Sequence, residues 1–428
     1  MKKALVLAGG GTRGSYQNGA LHALRRLGHG EFDIVTGTSI GALNAAMVVQ
    51  KDYRAMDRLW HTLTQDKIMN GALSVDMDIS DMISGRSQLV SFAKDFIKER
   101  GADIAPLKAY IHELYNEKRF FESDVDFGCM VCRRDHSPVY VTKEMMKEDA
   151  EDWLIATASA YPAFPVHKFK DNEYIDGGYY DNLPIDFALR LGAQEIVAVD
   201  LTNEPKHPNF MDRTGITYIF PQVETTSFLS FDRETLDRLE TLGYYDTMKA
   251  FGTFDGVKYT FESMNLPEWY YSFLHETLLM EGKIHAASEI SNRFFSRQAI
   301  TDHIASQQHV KVVSDKRMFF GFLDNLMSIC GLSVERVWTY KEARNAVLAQ
   351  FAPCADVNYE YWPESYRTDR LLAYASTLGT KGITEKMVHA ELYPDHKLVS
   401  DNVWYTVYPF EKALARFVMY LMNELKGE

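Results

Sequence analysis

Two glycine-framed turns near the start of the chain hold the residues best suited to chemistry. The first is Gly9-Gly10-Gly11-Thr12-Arg13-Gly14, directly after the apolar run 4–8, and the second is Gly37-Thr38-Ser39-Ile40-Gly41, directly after residues 32–35. Each pattern predicts a strand, a sharp turn and a helix. Backbone N–H groups at a helix N-terminus can bind an oxyanion, and a serine on a strand-to-helix corner can act as a nucleophile. The two turns together suggest acyl-transfer chemistry at Ser39.

The residues around Ser39 strengthen its case as a nucleophile. Gly37 and Gly41 flank it without side chains, which permits a strained corner and close packing of the helix on the strand. The motif lies between an apolar strand pattern and an apolar helix pattern, which is the context that a nucleophile elbow requires. A serine hydroxyl reacts well only when a base takes its proton. The sequence must therefore supply a base elsewhere.

The first glycine turn also fits a different function. A GxGxxG pattern after a strand is the fingerprint of dinucleotide binding, where the pyrophosphate lies on the helix N-terminus. That function requires an acidic residue at the end of the second strand, but Asp33 lies at its start and Ser39 follows its end. The residues therefore favour an oxyanion-binding turn over a nucleotide site. Arg13 in this turn could orient the loop, contact substrate or make a structural ion pair.

Asp176 is the strongest candidate for the base. It ends the predicted strand 173–175 and enters the turn Gly177-Gly178, where the backbone can approach another element closely. Desolvation beside apolar neighbours would raise the pKa of this carboxyl and make it a stronger base. The alternative is a turn aspartate that binds its own loop. Four histidines satisfy a Ser…Asp…His order, but none ends a predicted strand among turn residues: His167, His207, His275 and His285.

In order and spacing, the three glycine turns resemble those of the patatin-like phospholipase family. Two further segments agree with that family: the Ala-Ser-Ala-Tyr-Pro-Ala-Phe-Pro stretch at 158–165, and Asp181-Asn182-Leu183-Pro184 after the Gly177-Gly178 turn. The resemblance covers about residues 1–205. It implies a Ser–Asp dyad with Ser39 as nucleophile and Asp176 as base, and an oxyanion hole made by N–H groups of the Gly9 to Gly14 turn. The implied substrates are acyl esters of lipids, and no metal or cofactor is implied.

Strand and helix patterns alternate through the first 200 residues. Strands are expected at 3–8, 32–36, 125–132, 138–142, 173–175 and 195–200. This alternation predicts an α/β domain with a mainly parallel central sheet, and the resemblance implies a three-layer patatin-like fold. Cys129 and Cys132 have CxxC spacing, but they lie inside an apolar strand pattern without further metal ligands. We expect them to be buried structural cysteines.

After about residue 205 the pattern becomes mainly helical. Helices are expected over 234–251, 270–300, 317–330, 340–352, 366–377 and 409–426. The sequence therefore predicts a catalytic domain over 1–205 and a mainly helical C-terminal region over 206–428, whose role it does not specify.

The amino-acid composition argues against some classes of binding partner. The net charge is −13, which argues against nucleic acid and against a polybasic grip on anionic membranes. Apolar, transient contact with a membrane surface remains compatible with a lipid substrate. Four cysteines in 428 residues are typical of a reducing compartment, and no apolar run fits a signal peptide or a membrane span, so we expect a cytoplasmic protein. The oligomeric state is left open.

The residue patterns predict acyl-transfer chemistry at Ser39, and the family resemblance implies a serine lipid acyl hydrolase of the phospholipase A or esterase type. Ser39 would attack an ester carbonyl, Asp176 would take its proton, the glycine turn would hold the oxyanion, and water would release the acyl-enzyme. Two alternatives come from other functional classes. One is a nucleotide-binding protein that uses the Gly9 to Gly14 loop, and the other is an interaction protein with weak hydrolase activity.

Overall fold

A computed structural model describes residues 1–70, 103–211, 213–291, 300–359, 374–396, 404 and 407–427. The chain divides into two compact units, Met1–Gly252 and Thr253–Glu428. Ser39, Asp176 and the three glycine turns all belong to the first unit.

The first unit is built on an eight-stranded mixed sheet. Hydrogen-bonded strands follow the path β5-β6-β3-β2-β1-β7-β8, and β4 also pairs with β3. The strands are β1 Lys3–Leu7, β2 Ile34–Thr38, β3 Asp126–Arg133, β4 Pro138–Thr142, β5 His167–Phe169, β6 Asn172–Asp176, β7 Glu195–Val199 and β8 Ile216–Ile219.

The centre of this sheet is parallel. Strand β1 pairs in parallel with β2 on one side and with β7 on the other, and β2 continues in parallel to β3. The β1 residues Ala4, Leu5, Val6 and Leu7 are fully buried, as expected for a strand covered on both faces by helices. The α/β fold class and the six strands expected from the sequence are confirmed. Strands β5 and β8 carry no clear signal in the sequence because they are short.

The helices of the first unit pack on this sheet. They are α1 Ser15–Arg26, α2 Ile40–Val49, α3 Tyr53–Thr62, α4 Ala105–Leu114, α5 Glu117–Glu122, α6 Ala150–Thr157, α7 Ile185–Arg190 and α8 Arg233–Ala250. Strand β8 pairs with β7 and helix α8 packs along α1, so both belong to this unit although they follow residue 205. The compact unit therefore extends to Gly252, beyond the boundary expected from the sequence, because segments after residue 205 complete its sheet and helix layers.

Helices α1 and α8 approach each other so closely that glycine is required on both. A Cβ atom on Gly19 of α1 would lie 1.8 Å from the Glu240 carbonyl oxygen. A Cβ on Gly243 of α8 would lie 1.9 Å from the carbonyl oxygen of Tyr16. Close helix contact thus depends on two positions that are far apart in sequence.

The second unit is mainly helical, as expected. Its helices are α9 Tyr270–Ser291, α10 Ile300–Gln307, α11 Asp315–Ile329, α12 Tyr340–Phe351, α13 Gly379–Leu392 and α14 Pro409–Gly427, and a small sheet joins β9 Phe254–Asp255, β10 Thr260–Glu262 and β11 Val337–Trp338. Buried aromatic side chains form much of its core, including Phe273, Phe319, Phe322 and Phe417. The helix expected over 366–377 lies mostly outside the described residues. No helix in the described part of the chain is long and apolar enough to cross a membrane.

We predict that Gly19→Ala lowers the free energy of unfolding of the first unit by about 1–3 kcal/mol, because the new methyl group must push α8 away from α1. Urea denaturation measures this change. The matched control is Gly282→Ala in α9, where an added Cβ has nothing within 4 Å, and this variant should be neutral or slightly more stable. Equal unfolding midpoints for the two variants would contradict the close-packing argument.

Candidate active site

Strand β3 brings the two candidate catalytic residues together. Strand β4 pairs with β3 from Gly128 to Cys132 along one edge, so β2 and β6 must share the other edge. On that shared edge Met130 pairs with Thr38 of β2, and the next residue, Val131, pairs with Asp176 of β6. Because β2 is parallel and β6 antiparallel to β3, their carboxyl ends meet head to head. Ser39 follows Thr38 directly, so it lies beside Asp176.

Ser39 occupies a strained turn between β2 and α2. Its φ is 55°, a left-handed conformation that is uncommon for a residue with a side chain. The flanking glycines are sterically required, since a Cβ on Gly37 would lie 2.5 Å from the carbonyl group of Gly41, and one on Gly41 would lie 2.3 Å from the Leu7 oxygen. The Ser39 N–H donates to Thr157 Oγ1 at 3.0 Å. Backbone strain of this kind is typical of nucleophile elbows.

The Asp176 carboxyl is buried at the end of β6. Its Oδ1 accepts the Gly178 N–H at 2.8 Å, while Oδ2 is buried and has no hydrogen-bond partner of ordinary geometry among the described residues. Burial raises the pKa of Asp176 to about 6, and the Ser39 hydroxyl and the Gly178 N–H partly oppose that shift. A carboxylate with a raised pKa and a free oxygen beside a serine has the properties of a general base.

Most N–H groups of the first glycine turn already have acceptors. Gly9 N–H donates to the Asn182 oxygen, Thr12 N–H to the Phe228 oxygen at 2.8 Å, and Arg13 N–H to Gly10. The N–H groups of Gly10 and Gly11 make no hydrogen bond to any residue that the structure describes. Gly11 also lines the cavity that contains Ser39. Of the backbone N–H groups in this turn, those of Gly10 and Gly11 therefore remain as candidate donors to an oxyanion.

Thr12 and Arg13 bind a segment that covers the turn. Thr12 Oγ1 donates to the Phe228 oxygen at 3.1 Å, and Arg13 Nε donates to the Thr226 oxygen at 2.7 Å. Arg13 is almost fully buried. The Arg13 hydrogen bond to Thr226 is consistent with a role in orienting the loop.

Asn182 holds the first glycine turn from the opposite side. Its backbone oxygen accepts the Gly9 N–H at 3.0 Å, and its Nδ2 donates to the Gly9 oxygen at 2.9 Å. The preceding residue, Asp181, accepts a hydrogen bond from Thr38 Oγ1 on its backbone oxygen at 2.9 Å. The segment after the Gly177-Gly178 turn therefore fixes the first glycine turn and the Ser39 turn relative to each other.

Ser39 opens into an apolar cavity of about 690 Å³, part of it open to solvent. Helices α2, α3 and α4 supply part of the lining, and the other residues come from the first glycine turn, Ser39 and the segments 63–68, 158–164 and 228–231. The lining contains no Asp, Glu, Lys or Arg side chain within the described ranges. An acyl chain fits such a cavity better than a charged group does.

The histidines considered as bases have other partners or lie elsewhere. His167 Nε2 lies 2.8 Å from Asp152 Oδ1, and His207 Nε2 lies 3.1 Å from Asp181 Oδ1. No histidine is among the described residues that line the Ser39 cavity. His275 and His285 belong to the second unit.

The described residues contain neither a cluster suited to a metal ion nor the acidic residue that a dinucleotide site requires at the end of β2. In the part of the chain that the structure describes, no group of three or more His, Cys, Asp or Glu residues is arranged to hold a metal ion. Asp33 precedes β2, and its carboxylate accepts the Lys3 N–H at 2.7 Å. No carboxylate therefore ends β2, where a ribose would require one. Cys129 and Cys132 are buried in β3 and not disulfide-bonded, which confirms the structural role expected for them.

Comparison with known families agrees with this geometry. A family model described as "Patatin-like phospholipase" matches residues 5–189. This part of the chain is similar to a patatin-like phospholipase domain. The matched range contains Ser39, Asp176 and all three glycine turns, so the resemblance inferred from the sequence is confirmed.

Curated relatives match this chain over only part of their own length. Patatin-like phospholipase domain-containing protein 7 of Mus musculus is 30% identical over 203 residues, which are 46% of this chain and 13% of that protein. Uncharacterized protein YjjU of Escherichia coli is 27% identical over 46% of this chain and 51% of its own length. Neuropathy target esterase sws of Drosophila melanogaster is 26% identical over 61% of this chain and 19% of its own. The match thus spans about half or less of each of these relatives.

Two residues of the patatin-like site were missed as contributors by sequence reasoning. Thr157 receives the Ser39 N–H and donates its own hydroxyl to the Met130 oxygen at 2.5 Å, but no local pattern marks it. Asn182 lies in a segment that resembles the corresponding family segment. Its hydrogen bond to the Gly9 oxygen joins residues 173 positions apart, which no local pattern predicts.

We predict that Asn182→Ala lowers kcat for ester hydrolysis by about 10- to 100-fold with a smaller change in KM, because Gly9 loses its side-chain hydrogen bond and the turn can drift. Steady-state kinetics on a p-nitrophenyl ester measures both constants. Asn172→Ala is the matched control, since the Asn172 side chain is exposed and bonds only locally to the Lys170 oxygen. A KM effect alone, or equal effects of the two changes, would argue against positioning by Asn182.

Proposed function

We propose that the protein is a serine lipid acyl hydrolase that cleaves carboxylic esters through Ser39 and Asp176. The observation that carries this proposal is the Asp176 carboxyl, which is buried beside the Ser39 hydroxyl with a pKa of about 6 and whose Oδ2 has no partner of ordinary hydrogen-bond geometry among the described residues. The patatin-like domain and the names of the mouse and Drosophila relatives, a phospholipase and an esterase, support the same chemistry.

The reaction follows from the positions of these groups. The Asp176 carboxylate takes the proton of Ser39 as its oxygen attacks the ester carbonyl, and the N–H groups of Gly10 and Gly11 stabilise the oxyanion. Protonated Asp176 then gives the proton to the leaving alkoxide, which leaves an acyl group on Ser39. Water, deprotonated by Asp176, releases the carboxylic acid and restores the enzyme. The apolar cavity beside Ser39 holds the acyl chain.

The assignment of nucleophile and base is tested by covalent labelling and kinetics. A fluorophosphonate probe should label the parent protein at Ser39 and leave Ser39→Ala unlabelled, since phosphonylation requires the activated hydroxyl. Asp176→Asn should lose esterase activity by about 1000-fold or more because it cannot accept the proton. Peptide mass spectrometry locates the label, and turnover of p-nitrophenyl butyrate measures activity.

Loss of activity in Asp176→Asn would not reflect unfolding. Since the folded-state pKa is raised, an ionised Asp176 costs stability as pH rises through the interval between its unfolded value and about 6. The amide variant should be at least as stable as the parent at neutral pH. The matched controls are single alanine changes at His167 and His207, which should keep activity. A folded but inactive histidine variant would instead support a triad.

The pH dependence of kcat/KM should report Asp176. Because only the carboxylate form accepts the serine proton, kcat/KM should rise with pH and reach half its maximum near pH 6. The measurement is a pH–rate profile with a soluble ester. The profile should persist in His207→Ala, since His207, whose own pKa is raised by Asp181, is not the base. A flat profile, or one lost with His207, would exclude Asp176 as the titrating group.

A further inference from the structure

Three buried polar side chains from different helices form one hydrogen-bonded network: Gln17 of α1, Asn44 of α2 and Trp60 of α3. Asn44 Nδ2 donates to Gln17 Oε1 at 2.8 Å, and Trp60 Nε1 donates to Asn44 Oδ1 at 3.2 Å. All three residues are fully buried. Buried polar networks of this kind hold the elements they join in one arrangement. Asn44 is the central member, because it bonds to both of the others.

The network also binds the backbone at both ends of the first glycine turn. Gln17 Nε2 donates at 2.8 Å to the backbone oxygen of Ala8, the residue that precedes the turn. Asn44 Nδ2 donates at 3.3 Å to the backbone oxygen of Gly14, the last residue of the turn. The two glycines whose N–H groups are candidate oxyanion donors lie between these two anchor points. The position of the donors therefore depends on two buried amides.

The chemistry of each partner fixes the orientation of both amides. Trp60 Nε1 can only donate, so it must meet the Asn44 oxygen, and the Gly14 oxygen can only accept, so it must meet the Asn44 nitrogen. The same reasoning places the Gln17 nitrogen against the Ala8 oxygen and leaves its Oε1 to accept from Asn44. A carboxylate at either position would place an acceptor against a backbone oxygen. These two positions therefore require an amide.

Asn44 belongs to the helix that begins directly after the candidate nucleophile. Ser39 is the N-cap of α2, so at 1.5 Å per residue Asn44 lies about 7.5 Å further along the same rigid element. Its hydrogen bonds thus tie the glycine turn to the helix that positions Ser39. Neither Asn44 nor Gln17 is among the described residues that line the Ser39 cavity. Any effect of these two amides on catalysis must therefore pass through the turn.

We propose that Asn44 and Gln17 are positioning residues that set the distance between the oxyanion donors and the nucleophile. This inference rests on the proposed function, because it takes Ser39 as the nucleophile and the N–H groups of Gly10 and Gly11 as the donors. Such donors stabilise a transition state only when they lie within hydrogen-bond distance of the developing oxyanion. Loss of either anchor lets the donors move, while the cavity that binds the substrate keeps its lining.

The test compares an ester with its thionoester, in which sulfur replaces the carbonyl oxygen. Sulfur accepts hydrogen bonds weakly, so well-placed donors favour the oxygen ester, and the ratio of the two kcat/KM values reports on the donors. For p-nitrophenyl butyrate and its thiono analogue, this ratio should fall by about tenfold in Gln17→Met and in Asn44→Ala. The loss should appear in kcat of the oxygen ester rather than in KM. A ratio measured on one sample is insensitive to partial loss of folded protein.

The matched control is Gln308→Met in the second unit. Gln308 is also buried, and its Nε2 donates to a backbone oxygen, that of Arg317, at 3.0 Å. This variant should keep the parent ratio. If one of the Gln17 and Asn44 variants does not fold, the other decides the question alone. A parent-like ratio in the folded variant would overturn the positioning role and leave the hydrolase function intact. A parent protein that neither hydrolyses the oxygen ester nor is labelled at Ser39 would overturn both.

Discussion

The site depends on one edge of strand β3, where two strands end against each other. Because β4 occupies the opposite edge, β2 and β6 must share this one, and their carboxyl ends meet at Met130 and Val131. The backbone oxygen of Met130 lies at this junction and contacts both turns. It accepts the Thr157 hydroxyl, which in turn receives the Ser39 N–H, and a Cβ on Gly177 would lie 2.2 Å from it. The elbow and the aspartate turn are thus held against the same peptide group.

Burial of Asp176 raises the pKa of its carboxyl at a cost in stability. Raising the pKa of a carboxyl from 3.8 to about 6 corresponds to about 3 kcal/mol disfavouring the ionised form. One N–H group, that of Gly178, and the Ser39 hydroxyl offset part of this penalty. A better-solvated carboxylate would be more stable but a weaker base. The unpartnered oxygen is therefore consistent with a role in proton transfer rather than with a structural turn alone.

The first glycine turn is held in place by hydrogen bonds to two other segments of the chain, at Asn182 and Phe228. Asn182 binds Gly9 through backbone and side chain, while Phe228 accepts two hydrogen bonds from Thr12. The N–H groups of Gly9 and Thr12 are therefore already hydrogen-bonded, whereas those of Gly10 and Gly11 have no acceptor among the described residues. The same segment around Phe228 lines the apolar cavity, so the element that fixes the first glycine turn also shapes the cavity beside Ser39.

Local patterns in the sequence were enough to predict the strands of the parallel core, the elbow at Ser39, the turn at Asp176 and the helical character of the later residues. These features depend on nearest neighbours: apolar runs, glycines that permit tight turns, and helical spacing. The roles of Ser39 and Asp176 stay predictions that the geometry supports.

Only the tertiary structure decided which residues meet. It added β8 and α8 to the first unit, assigned Thr157 and Asn182 to the support of the turns, reduced the free donors of the first glycine turn to two glycines among the described residues, and formed the apolar cavity beside Ser39. Each of these depends on contacts between segments separated by many residues, whose pairing and register no local pattern encodes. The sequence thus determined the reactive groups, and the close packing of distant backbone determined which of them are exposed, paired or free.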